Sequence, residues 1–320
     1  MRPKILSITP IGHIRGVKRS LEEIGDLIML DDPTTEEVLN LIKDVDAIYT
    51  NPNKSKVFLD KKVFSHANNL KVICTASTGT NHINKQDLKS FSIELLSLTE
   101  ERETIDKISS TAEHALALTM TSLRNIPQSH ESVMLDDWNY EDFIGRQVDK
   151  LTIGVIGYGR LGSKYSSYCT GLGATVLVYD PYKEVKDKDI TQEQNIESIF
   201  KKSDVISIHV HVNDETKNLI DKKLLVLAKK NLLLINTARG EVINEEDLIN
   251  FLSKNPQAKC AVDVLSNEIK SRKDNLLLNF AKKSQQVIIT PHIGGMTIEA
   301  QEIAFNHAAS MLLKFFKKQK

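Results

Sequence analysis

Polar and apolar positions along this chain alternate between two periods. In the first third, short apolar runs at residues 4–8, 27–30, 46–49, 72–74 and 93–96 have the length and bounding polar turns of strands. Helical spacing lies between them. Residues 17–23 have it, and Thr34-Thr35-Glu36-Glu37 reads as a capped helix start with Val38, Leu41 and Ile42 as its apolar face. A longer helical pattern covers residues 110–123, with Ala112, Ala115, Leu116, Leu118, Thr119 and Leu123 as its repeating small and apolar positions. Residues 127–150 are polar and poorly periodic. They carry the only tryptophan, Trp138. The strand rhythm resumes at 151–156, 174–179, 205–209, 232–235, 260–262 and 287–290, with helices expected at 163–172 and from 297 to about 316. Strands separated by helices predict an α/β fold with doubly wound parallel sheets.

The turn after the run at 151–156 reads Gly154-Val-Ile-Gly157-Tyr-Gly159-Arg-Leu-Gly162, and the next run ends in Asp180. A strand, a GxGxxG turn, a helix and an acid closing the second strand form the dinucleotide-binding fingerprint in its required context. Gly157 allows the tight turn, Gly159 lets the backbone approach a pyrophosphate, and Gly162 lets the helix pack close to the sheet. The helix N-terminus offers N–H groups and a positive dipole end to the phosphates. Asp180 can accept from both ribose hydroxyls and would repel a 2′-phosphate, so NAD is expected rather than NADP.

Three further polar stretches follow strands of the same half, where ligands bind in such sheets. They are Asn236-Thr-Ala-Arg239-Gly240, Asp263-Val-Leu-Ser-Asn-Glu268 and Pro291-His292-Ile-Gly294-Gly295. An arginine, a glutamate and a histidine suit hydride transfer next to a carboxylate. The guanidinium grips the anion with two parallel hydrogen bonds, the imidazole exchanges the hydroxyl proton, and the acid fixes the imidazole's tautomer.

Bulk properties remove other classes. The chain has 320 residues, which suits two domains, with 42 basic and 42 acidic residues and no net charge. Nothing electrostatic calls for nucleic acid, and Lys229-Lys230 and Lys317-Lys318 read as solvated faces. Neither a signal peptide nor a membrane-spanning run is evident. Cys74, Cys169 and Cys260 are distant from one another and read as small hydrophobes in a reducing, cytosolic compartment.

Across nearly its whole length the chain resembles the D-isomer-specific 2-hydroxyacid dehydrogenases, the group that includes phosphoglycerate dehydrogenase. The resemblance rests on Ser77-Thr-Gly-Thr-Asn-His-Ile83, Thr111-Ala-Glu-His114, Gly145 with residues 151–162, Ser203-Asp-Val-Ile-Ser-Ile-His209 and Glu215-Thr216. It extends through Asn236-Thr-Ala-Arg-Gly240, Asp263-Val264 with Glu268, and Thr290-Pro-His-Ile-Gly-Gly295 leading to Glu299-Ala300. It implies catalytic Arg239, Glu268 and His292. It implies cofactor contacts at Arg160, Leu161, His209, Thr216, Thr237, Ala238, Asp263, Gly294 and Gly295, besides Gly157, Gly159, Gly162 and Asp180. Ser77, Thr78 and Gly79 match the loop whose backbone N–H groups bind the substrate carboxylate.

The resemblance also implies a Rossmann NAD-binding domain at residues 104–295 and a smaller, discontinuous flavodoxin-like substrate domain at 1–103 and 296–320. A cleft that closes on substrate and a homodimer come with it. The reaction implied is hydride exchange between NAD(H) and a D-2-hydroxy acid/2-oxo acid pair. Loops carrying His13, Arg15, Asn51, Asn53 and Lys54 favour a polar or anionic acid, 3-phosphoglycerate-like or sugar-derived, with solvent-facing Arg15 and Lys54 as the plainer reading. His211 and Ile269 stand where the family often has proline. The pair His209-x-His211 lacks a third ligand at suitable spacing, so no metal is expected. Serine control of the kind given by a regulatory extension is not expected. Two rivals remain: a corepressor-like protein that senses NAD on the same fold, and a formate dehydrogenase relative, which would carry Gln in place of Glu268.

Overall fold

A computed structural model describes residues 2–52, 57–268 and 272–318. Asn53, Lys54 and Ile269 lie outside the described residues. The chain divides into two compact units, residues 1–108 with 295–320 and residues 109–294.

The first unit contains five strands: β1 (Lys4–Ser7), β2 (Asp26–Met29), β3 (Ala47–Thr50), β4 (Val72–Thr75) and β5 (Glu94–Ser97). They are all parallel, in the order β2-β1-β3-β4-β5, the flavodoxin-like winding. Successive residues of each strand enter different cores. Ile5, Ala47, Tyr49, Val72 and Cys74 pack under the helices Val17–Ile24 and Ile298–Lys318. Leu6, Ile48 and Ile73 pack with Val38, Val63 and Leu88 on the opposite face. A sheet buried on both sides explains why its strands read as unbroken apolar runs. The capping box is present: the Thr34 side chain accepts from Glu37 N–H while Glu37 accepts from Thr34 N–H.

The second unit carries β6 (Thr152–Ile156), β7 (Thr175–Tyr179), β8 (Ile190–Gln192), β9 (Val205–Ile208), β10 (Leu233–Asn236), β11 (Lys259–Val262) and β12 (Val287–Ile289). The order is β12-β11-β10-β9-β6-β7-β8, all parallel. This is the Rossmann winding with one strand added beyond the sixth, and its order reverses at β6. The carboxyl ends of the last three strands are in register, with Asn236 opposite Val262 and Val262 opposite Ile289. The three polar stretches therefore leave the sheet along one edge.

Three features differ from the sequence reading. β8 has three residues, only the first of them buried, and follows a charged run that hides its period. Residues 126–134 form a helix with no buried residue, so its pattern carries no inward face to detect. Lys229 is not simply solvated, because its ammonium lies 3.1 Å from the carboxylate of Asp204, which Arg146 also contacts at 3.1 Å. All three cysteines are unpaired and buried.

Candidate active site

Gly157 closes β6 with φ +91°, a left-handed conformation that favours glycine. A Cβ at Gly162 would stand 1.9 Å from the Gly157 carbonyl oxygen, so only glycine lets the helix Arg160–Gly171 begin so close to the strand. At Gly159 a Cβ would meet nothing within 4 Å, and no side chain caps the helix that starts there. The result is open space in front of an uncapped helix N-terminus led by Arg160 and Leu161, the arrangement that receives a diphosphate.

Asp180 ties this turn to the end of β7. Its Oδ2 accepts from Tyr158 N–H at 2.7 Å, and its Oδ1 accepts from Tyr182 N–H at 2.9 Å and Lys183 N–H at 3.1 Å. Three of the carboxylate's roughly four acceptor sites are taken, so Oδ2 keeps capacity toward a ribose. The His209 ring turns inward, with Nε2 at 2.9 Å from Ser207 Oγ and the ring centroid 5.1 Å from that of Tyr165. Burial pushes its pKa down to about 3, so it stays neutral. Thr216 shapes its own turn, accepting from Asn213 N–H and donating to the His211 carbonyl.

After β10, the buried Asn236 side chain accepts from Ala238 N–H and donates to the Arg239 carbonyl, each at 2.9 Å. This staple holds Thr237, Ala238 and Arg239 in one conformation. Thr237 Oγ1 is buried with no hydrogen-bond partner among the described residues. An orphaned hydroxyl, an open glycine and an uncapped helix start are what a protein shaped around a dinucleotide would show. The Arg239 guanidinium donates to the Ala238 carbonyl at 2.6 Å and has no carboxylate partner among the described residues. Gly240 packs directly against Leu265 and Ser266 of the next loop.

That loop carries Glu268, whose Oε1 lies 2.7 Å from His292 Nδ1. Both side chains are about one-fifth exposed, at 19% and 21%. A carboxylate only accepts, so Nδ1 carries the hydrogen and Nε2 is the ring nitrogen that can exchange a proton. His292 itself sits at φ +57°, in the left-handed region that few non-glycine residues occupy. Asp263, 2% exposed, brackets its turn: Oδ1 accepts from Ile293 N–H at 2.9 Å and from the Thr290 hydroxyl at 2.5 Å, and Oδ2 accepts from Gly294 N–H at 2.7 Å. Burial alone would raise the Asp263 pKa, but bonds from His114, Thr290, Ile293 and Gly294 outweigh it and hold the carboxyl below its ordinary value. The other glycine of the pair, Gly295, has open space where a Cβ would stand. His114, matched in a motif but given no role there, lies 2.9 Å from Thr290 Oγ1 across a separation of 176 residues. No local spacing could have revealed that contact.

In the first unit, the Ser77 hydroxyl donates to the Gly79 carbonyl at 2.6 Å, and the Thr78 carbonyl accepts from Thr99. The N–H groups of Ser77, Thr78 and Gly79 donate no hydrogen bond among the described residues, which leaves a run of amide donors. Asn51 is buried and donates to the Ala76 carbonyl, so it supports this loop. His13 and Arg15 are exposed.

Fold and site together define a protein of the Rossmann class with a histidine–carboxylate pair at the sheet's carboxyl edge. Residues 116–294 match the model of the D-isomer specific 2-hydroxyacid dehydrogenase, NAD binding domain. The chain belongs to that family. It is 32% identical over 317 residues to a D-3-phosphoglycerate dehydrogenase of Methanocaldococcus jannaschii, covering 98% of this chain and 57% of the relative. It is 28% identical over 311 residues to a hydroxypyruvate reductase of Blautia hydrogenotrophica, covering 93% and 92%. The fold is shared with a D-lactate dehydrogenase from Aquifex aeolicus solved with NAD and lactic acid, at TM-score 0.79 and 24% identity over 98% of this chain and 96% of that one. The chain spans about half the length of the phosphoglycerate dehydrogenases it matches. No helix among the described residues is long and apolar enough to cross a membrane.

Proposed function

We propose that the chain catalyses NAD-dependent interconversion of a D-2-hydroxy acid and its 2-oxo acid. The observation that carries this reading is the 2.7 Å bond between His292 Nδ1 and Glu268 Oε1 at the same sheet edge as Arg239. Bound NAD(H) would supply or accept the hydride. It would be held by the turn Gly157–Gly162 with Arg160 and Leu161, by Asp180, and by the strand-end residues Thr237, Ala238, Gly294 and Gly295. Thr216, His209 and Asp263 support it through the loops they fix. Arg239, with no carboxylate partner among the described residues, binds the substrate carboxylate. The amides of Ser77, Thr78 and Gly79 form an anion-binding group of the first unit. His292 Nε2 gives the proton to the carbonyl oxygen in reduction and takes it from the hydroxyl in oxidation, while Glu268 keeps the other nitrogen protonated.

The substrate is a polar or anionic acid of the phosphoglycerate or sugar-acid type. Support comes from exposed Arg15, whose guanidinium has no carboxylate partner among the described residues. Unpaired buried cysteines support action in the cytosol, which cell fractionation would check. The family reading also makes the chain a homodimer.

The test is a steady-state assay with NADH and a panel of 2-oxo acids, comparing the parent protein with His292→Ala. Turnover should be greatest on anionic members and fall by roughly 10²–10⁴-fold in the variant, with NADH binding retained. NADH binding without turnover on any member would instead favour a cofactor-sensing binding protein. Near-parental turnover in the variant would remove His292 from the mechanism.

A further inference from the structure

We propose that His114 is a positioning residue for His292, acting through Thr290 and Asp263. The proposal rests on the reading of His292 as the acid/base. The Thr290 hydroxyl donates to Asp263 Oδ1 at 2.5 Å, so its one hydrogen is committed there. Its oxygen can then only accept from His114 Nε2–H, 2.9 Å away. The same His114 nitrogen stands 3.3 Å from Asp263 Oδ1. A directed chain results: His114 Nε2–H to Thr290, and Thr290 to Asp263.

This chain grips both flanks of one residue. On the N-terminal side, His292 N–H donates to the Thr290 carbonyl at 3.0 Å, so fixing Thr290 fixes the start of the turn. On the C-terminal side, Ile293 and Gly294 N–H bind the two oxygens of Asp263. Between the flanks, His292 holds a left-handed backbone, uncommon for any residue but glycine, which persists where the surroundings over-determine it. The bond from Nδ1 to Glu268 depends on that backbone aiming the ring. His114 anchors the arrangement to the long helix Ser110–Leu123, a rigid element, rather than to another loop. The His114 side chain is 18% exposed and Asp263 1%, so water competes weakly for these bonds.

The experiment compares His114→Ala, His114→Gln, Thr290→Val and the His114→Ala/Thr290→Val double variant, with NADH and the best 2-oxo acid. Loss of aim at the reacting proton should lower kcat by roughly 10–100-fold and raise KM for NADH by much less, because the diphosphate and ribose groups lie elsewhere and only the Asp263–Gly294 turn is shared. Glutamine can place an amide N–H near the site of Nε2, so His114→Gln should recover most of the loss. The double variant should be no worse than the poorer single variant, since both break one chain. Parental kcat in His114→Ala overturns the proposal, as does a glutamine variant no better than alanine. So do single-variant losses that multiply in the double variant. If His114→Ala does not fold, Thr290→Val and His114→Gln decide on the same criteria. His292→Ala separates the two readings: if it keeps turnover, both fall. If it loses turnover while His114→Ala keeps kcat, only the positioning role falls.

Discussion

Arg239 shows how one side chain is prepared by its neighbours. It stands three residues beyond the in-register end of β10, and the buried Asn236 clamps its carbonyl and the amide of Ala238. Its guanidinium keeps planar donors beyond the one used on Ala238, and a carboxylate accepts two of them in parallel. Lysine would keep the charge and lose the fork. Arg239→Lys should therefore raise KM for the 2-oxo acid and lower kcat together, because the carbonyl beside the carboxylate also loses its alignment. The combined loss in kcat/KM should be about 10–100-fold, the worth of one charge-assisted hydrogen bond. Unchanged kinetics on the best 2-oxo acid would place the carboxylate elsewhere.

At the scale of elements, the strands and the glycine turn were legible because each reflects a local rule. A strand buried on both faces is an apolar run, and a glycine at φ +91° is a sequence signal as well as a geometric one. The supporting chain through His114, Thr290 and Asp263 was not legible, since it joins a helix to loops far along the chain. Asp263, given a cofactor contact by the resemblance, also holds the His292 turn. Buried histidines were equally hidden. His82, fully buried in the segment following β4, has both ring nitrogens without a partner among the described residues, and burial lowers its pKa to about 4. His209 falls to about 3 for the same reason. Both lie below the ordinary value of 6.5, so the unfolded chain binds these protons first as pH falls. The stability present above pH 6.5 should be lost progressively as pH falls toward 4 and then 3. The slope should approach about 1.4 kcal/mol per pH unit for each histidine. Denaturant titrations at pH 7, 6 and 5 (roughly even steps across that window) would measure it. His82→Leu should remove one proton's share, and an unaltered slope in that variant would count against the assignment.

At the scale of the whole molecule, one stretch leaves an apolar surface uncovered among the described residues. The helix Ile126–Met134 buries no residue, yet a helix so short gains little in water without an apolar face covered. Beyond it, Leu135 is 75% exposed, Trp138 87%, Tyr140 76% and Ile144 74%. Single exposed apolar residues are ordinary, but this many in one short segment is the pattern that an interaction surface has. A second copy of the chain is the occupant the family reading gives. Trp138 is the only tryptophan, so its fluorescence reports on this segment alone. In a dimer its emission should be blue-shifted at micromolar concentration and move to the red on dilution, in step with a halving of mass in sedimentation. Leu135→Asp should shift both transitions to higher concentration by roughly 30-fold or more, as loss of a buried anchor worth about 2 kcal/mol or more would require. The charge lies on the surface of the isolated chain, so folding should survive it. A parent protein that sediments as a monomer at micromolar concentration, with water-exposed tryptophan emission throughout, would rule out the homodimer.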